Sequence, residues 1–160
     1  GGEPLIAPRH LLKVADHLAD YTFVVETNGL LITRDLAREF ANRPQVIVRV
    51  SIKGATPEEF SKITQSPPYY FHRQIEAIKI LVESGLKPCV DVYPAAMLGF
   101  STDETIKSLE ETLAGVDPRL SDCIDVEYVI LYPHVVNLLR ARGLTPTKAV
   151  TPSGIPTFMI

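Results

Sequence analysis

The stretch QVIVRVSIKG, residues 45–54, decides how the rest of the chain is read. Val46, Val48, Val50 and Ile52 share one parity, and Ile47, Arg49, Ser51 and Lys53 share the other. Alternate residues of a strand line opposite faces, so one face here is apolar and the other turns polar towards its C-terminal end. The apolar face suits helices packed against it. The polar face has two readings. The strand is either an edge strand with one face in water, or a central strand whose Arg49, Ser51 and Lys53 point into a lumen holding a polar, anionic ligand group.

The flanking segments favour the central position. Residues 22–26 (TFVVE) form a short apolar run closing at Asn28 and Gly29, which reads as a buried parallel strand followed by a turn. Residues 87–93 repeat the alternation more weakly, with Val90 and Val92 opposed to Asp91 and Tyr93. Residues 124–132 read as the last strand, with Glu127 on one parity and Tyr132 and His134 on the other. Helical periods lie between these runs. Residues 9–21 carry Leu11, Val14, Ala15 and Leu18 on one face, and Thr33 caps a helix holding Leu36, Ala37 and Phe40. Residues 70–84 present Ile75, Ile78 and Val82, with Gly85 at the C′ position. Ser101 and Glu104 form a capping box before Ile106, Leu109 and Leu113, and that helix closes at Gly115. Residues 57–64 make a short helix inside the long connection at 54–68, and residues 135–141 make another before Gly143.

A helix followed by four strand–helix units implies an α/β fold, a parallel sheet with helices outside it. Chemistry is then expected at the C-terminal ends of the strands. At 160 residues, one domain is expected over residues 1–143, followed by an extended tail at residues 144–160. The net charge of −3 gives no reason to expect a nucleic-acid partner. The apolar runs are too short to span a bilayer, and no signal-peptide pattern is seen, so a cytoplasmic protein is expected. Cys89 and Cys123 fit no metal spacing and read as buried free thiols.

The opening GGEP, residues 1–4, is a tight-turn sequence with no strand before it. ETNG at residues 26–29 closes the next strand, VRVSIKG at 48–54 the one after, and LYPH at 131–134 the last. These four motifs, in this order, resemble the radical S-adenosylmethionine (SAM) enzymes. They are most like the glycyl-radical-enzyme (pyruvate formate-lyase) activating proteins, whose Leu-Pro-Tyr-His segment LYPH matches with two residues exchanged. The resemblance runs from residue 1 to about residue 143. It implies a partial (β/α)6 TIM-like barrel that holds SAM against a [4Fe–4S] cluster, cleaves SAM reductively to a 5′-deoxyadenosyl radical and abstracts a substrate hydrogen. The cluster-binding Cys-x3-Cys-x2-Cys loop of that family has no counterpart in this chain. The expectation is therefore a chain lacking the first unit of the barrel, inactive by itself and carrying no cluster. An unpaired strand edge left by such a cut would favour self-association or cover from the tail.

The same resemblance carries roles to single residues. Gly1, Gly2, Glu3 and Pro4 match the motif that receives the SAM amino group, the alternative being that the two glycines are a tag remnant. Glu26, Thr27 and Asn28 match a strand end that contacts the methionyl part of SAM or a monovalent cation beside it, although glutamate replaces the family's aspartate. Arg49, Ser51 and Lys53 match the strand supplying a cation for the SAM carboxylate and a polar group for the ribose or methionine. Which of the two cations serves is left open. His134 matches a histidine near the adenine and ribose. A protein substrate bearing a glycyl residue and an external electron donor are the partners implied. Two other readings stand beside this one: a barrel hydrolase or lyase using Glu26, Asp91 and Glu127, and a cluster-free interaction subunit.

Overall fold

A computed structural model describes residues 2–154. Four parallel strands form one sheet in the order β1 (Phe23–Thr27), β2 (Val46–Lys53), β3 (Val92–Met97) and β4 (Asp125–Glu127). The helices are α1 (Pro8–His17), α2 (Arg34–Ala41), α3 (Pro57–Thr64), α4 (Tyr69–Glu83), α5 (Asp103–Ala114) and α6 (Pro133–Ala141). A second, two-stranded parallel sheet joins β5 (Val129–Ile130) to β6 (Ala149–Val150). This is the α/β, parallel-sheet architecture of a partial TIM-like barrel.

The strand read as central is central, paired with β1 on one side and β3 on the other. Its apolar parity is sealed: Val48, Val50 and Ile52 are 0% exposed. Each such side chain contributes about 1.5–3 kcal/mol relative to an exposed one. They lie in one core with Phe40, Phe60, Phe71, Ile78 and Leu81, which come from α2, α3 and α4.

Local signals set the helix ends. The Thr33 hydroxyl accepts from Leu36 N at 3.2 Å and opens α2. Thr56 caps α3 in the same way, with Pro57 in its first turn. Gly54 turns the chain from β2 into α3 with φ +85°, and a Cβ there would stand 2.8 Å from Glu59 Cβ, so only glycine fits.

Several expectations are corrected. Residues 87–91 form a turn rather than a strand, closed by Asp91, whose carboxylate accepts from Lys87 N at 2.9 Å. The strand starts at Val92, so Asp91 lies at the N-terminal end of the sheet. The last strand is broken in two, because β4 belongs to the main sheet and β5 pairs with β6. The capping box of α5 is built from Thr102 and Thr105. Ser101 instead is buried and donates to Glu59 at 2.6 Å. The buried face of α4 is Phe71, Gln74, Ala77, Ile78 and Leu81, one position off the apolar stripe of the sequence and with an amide inside it.

Cys89 and Cys123 are not free thiols. They form a disulfide, with Cα atoms 5.7 Å apart, that ties the turn before β3 to the segment before β4. Residues 144–154 do not cover β1, the outer strand. Thr147 N and Lys148 N donate to Gly99 O at 2.7 and 3.0 Å, and β6 then pairs with β5. A Cβ on Gly99 would collide with the Val129 side chain and stand 2.9 Å from Lys148 O.

Thiol titration of the unreduced, unfolded chain should find no free thiol. Reduction, or Cys89→Ser with Cys123→Ser, should lower stability by about 2–4 kcal/mol in a denaturant titration. Asp117 starts the turn that leads to Cys123. Hydrogen bonds from the Arg119 side chain and backbone hold its carboxyl down at about 2. A depressed folded-state value means stability that is present above the ordinary aspartate range and lost as pH falls towards 2. Asp117→Asn should therefore flatten the acid limb of a pH–stability curve, more at low salt than at high salt.

Candidate functional site

Three segments meet at the C-terminal ends of β1 and β2. Gly2, Glu3, Glu26, Thr27, Asn28, Ser51 and Lys53 line a cavity of about 720 Å³ there. Glu3 organises one wall. Its Oε1 accepts from Leu5 N at 3.0 Å and from the Thr27 hydroxyl at 2.7 Å, and its Oε2 accepts from Asn28 N at 2.9 Å. A carboxylate offers roughly four acceptor positions, so Glu3 keeps acceptor capacity towards the cavity. Thr27 Oγ1 in turn accepts from Gly29 N at 3.1 Å, and Asn28 Oδ1 accepts from Leu30 N at 2.9 Å. The whole turn after β1 is thereby fixed. Gly29 is needed in it, because φ is +79° and a Cβ would lie 3.0 Å from Ala77 Cβ on α4.

The polar face of the sheet is built in rows, because in-register residues of parallel strands point the same way. Glu26, Arg49 and Tyr93 form one row, Ser51, Ala95 and Asp125 the next, and Lys53, Met97 and Glu127 the third. Arg49 crosses β3 to reach β4, and Ala95, the smallest side chain of the middle row, leaves it room to pass. Its guanidinium contacts Asp125 at 2.8 Å, Glu127 at 3.0 Å and Glu26 at 3.1 Å. Lys53 Nζ donates to the other oxygen of Glu127 at 2.6 Å. Burial opposes the charge of Arg49, and the hydrogen bond it donates to Asp125, with the fields of Glu26, Asp125 and Glu127, more than offsets it, so its pKa stands above the ordinary value.

Both cations read from the sequence are thus already holding carboxylates. Glu3, Glu26, Asp125 and Glu127 outnumber Arg49 and Lys53 around the strand ends. The site is rich in acceptors, where the sequence suggested an anion receptor.

Of the residues singled out by sequence, seven line the cavity. Gly1 lies outside the described residues. Pro4 sits behind the wall in the Pro4–Ile6 turn. Arg49 is in the adjoining ion-pair network, and His134 stands exposed on α6, its ring parallel to that of Tyr132 with centroids 5.8 Å apart. Asp91, at the other end of the sheet, cannot join Glu26 and Glu127, which removes the carboxylate set of the hydrolase reading. Asp125 and Gln74 were not anticipated. For Asp125 a signal existed, since it shares the parity of Glu127. For Gln74 there was none beyond its place beside the apolar stripe of α4.

A family model of the Radical SAM superfamily matches residues 1–113. The match spans β1 to β3 and every residue lining the cavity, and the chain belongs to the Radical SAM superfamily. No curated protein and no solved structure matched it. Among the described residues no helix is long and apolar enough to cross a membrane.

A double-mutant cycle between Glu127→Gln and Lys53→Met should give a coupling of at least about 0.5 kcal/mol in urea unfolding. Strictly additive effects would mean that the pair does not form in solution.

Proposed function

We propose that the cavity at the ends of β1 and β2 is a SAM site and that the chain serves a radical SAM enzyme that abstracts hydrogen from a substrate. The observation that carries this reading is the convergence of Gly2, Glu3, Glu26, Thr27, Asn28, Ser51 and Lys53 on one cavity within the superfamily match. A volume of about 720 Å³ lies in the range of cofactor pockets. The donor set fits the group. Glu3 and Glu26 offer acceptors for an ammonium, Ser51 and Asn28 offer groups for hydroxyls, and Lys53 offers a cation for a carboxylate. SAM bound there would supply the hydrogen-abstraction chemistry, while the protein binds, orients and shields it.

Glu127 gives Lys53 a resting partner. A SAM carboxylate competes with Glu127 for Lys53, and Arg49 keeps hold of the other Glu127 oxygen. Lys53 can therefore change partner without leaving a carboxylate unpaired. Superfamily membership also implies a [4Fe–4S] cluster. Cys89 and Cys123, joined to each other, do not provide its ligands. Within the superfamily, the motifs at residues 1–4, 26–29 and 131–134 support a place among the glycyl-radical-enzyme activating proteins, with a glycyl protein as substrate. The position of His134 outside the cavity lends no support to an adenine contact.

Titrating SAM calorimetrically into the 160-residue chain tests the reading. Lys53→Met should weaken binding about ten- to a hundredfold, and Lys53→Met with Arg49→Met should cost more, non-additively. Loss in Arg49→Met alone would make Arg49 the carboxylate partner. Unchanged affinity in both variants, or no SAM binding by the parent, would sink the proposal.

A further inference from the structure

β1 and β3 leave β2 at different points. The β1 ladder ends at Thr27 opposite Val50, whereas the β3 ladder continues to Met97 opposite Lys53. In a parallel sheet, the C=O of one residue and the N–H two residues on point to the same neighbour. Past Val50, Ser51 O and Lys53 N therefore face the place that β1 has left. A buried backbone carbonyl or N–H without a partner is costly, so this place has to be filled.

Gln74 fills it. It lies on α4, is 2% exposed, and brings its side-chain amide to the vacated position. Nε2 donates to Ser51 O at 2.6 Å, and Oε1 accepts from Lys53 N at 3.4 Å. These are the two bonds that the N–H and C=O of one residue on a neighbouring parallel strand would make. The second Nε2 hydrogen goes to Asn28 O at 3.1 Å, at the point where β1 turns away. Among the described buried side-chain nitrogen and oxygen atoms, none lacks a partner. The chemistry demands an amide: a carboxylate would face two carbonyl oxygens, and an apolar side chain would leave all three backbone groups unmet.

We infer that Gln74 is a positioning residue of the SAM site: its amide stands in for a strand and sets Asn28, Ser51 and Lys53 at their spacing across the cavity. Gln74 does not itself line the cavity. The inference rests on the SAM reading for its ligand, but the clamp has a readout of its own.

The experiment compares the parent chain with Gln74→Met, Gln74→Glu and, as a control on the same buried face of α4, Ile78→Val. Each is examined by SAM calorimetry, denaturant unfolding and amide hydrogen exchange. In Gln74→Met, SAM affinity should fall about tenfold or more and Lys53 N–H should exchange about tenfold or more faster, while Val50 N–H, held in the β3 ladder, keeps its rate. Gln74→Glu should behave alike, and it serves should Gln74→Met fail to fold. Ile78→Val should lose stability without losing affinity, so that general loosening of α4 is excluded as the cause. SAM affinity in both Gln74 variants equal to that of the parent would overturn the positioning role. Unchanged Lys53 N–H exchange in both would overturn the clamp, including in the case where the parent binds no SAM. That last result, with faster Lys53 exchange in the variants, would overturn the SAM reading and leave the clamp standing.

Discussion

The site depends on one geometric constraint, the two-residue period of β2 in the middle of the sheet. Flanked on both sides, β2 has no free edge, so each of its side chains must go to one face or the other. Val46, Val48, Val50 and Ile52 commit one face to the helices. The opposite face then has to take Arg49, Ser51 and Lys53. A slip of one residue would exchange these sets and place two cations in the core. The register therefore fixes the sheet and delivers Ser51 and Lys53 to the cavity together.

Charge follows from the same constraint. Arg49 is largely shielded from water, and such a group is tolerated when carboxylates surround it. The sheet supplies them from both sides, Glu26 on β1 and Asp125 and Glu127 on β4. The short edge strand β4 thus holds its place through its side chains as much as through its backbone pairs. It also leaves the mouth of the sheet with an excess of acceptors, which suits a ligand carrying an ammonium.

The fold was legible where a local pattern carries it. The parity of residues 46–53, the caps at Thr33 and Gly85 and the helix at residues 57–64 each depend on neighbours in sequence. Five of the seven cavity residues were legible because they lie at or just past the end of a strand, and Gly2 and Glu3 were legible through the GGEP motif. What the pattern could not show depends on distant partners. Lys53 meets Glu127 only because β3 lies between them in register, and Cys89 meets Cys123 only because β3 and β4 are neighbours in the sheet. The capping box was misplaced by one residue because Ser101 had a better partner in Glu59, far away in sequence. Nothing local marks Gln74, because its amide has a role only where β1 departs early from β2.

Gly99 carries a consequence for how this chain can vary. Its carbonyl receives Thr147 and Lys148, and its bare Cα lies against Val129, so the excursion through β5 and α6 leaves and returns at one clasp. The entropy of closing such a loop changes only slowly with its length. Insertions, deletions or a wholly different helix between residues 131 and 146 would leave the sheet and its charged rows undisturbed, provided the glycine stays. The chain is thus divided into a half whose sequence is dictated by register and an exchangeable module clasped at Gly99, Ser101 and Asp103.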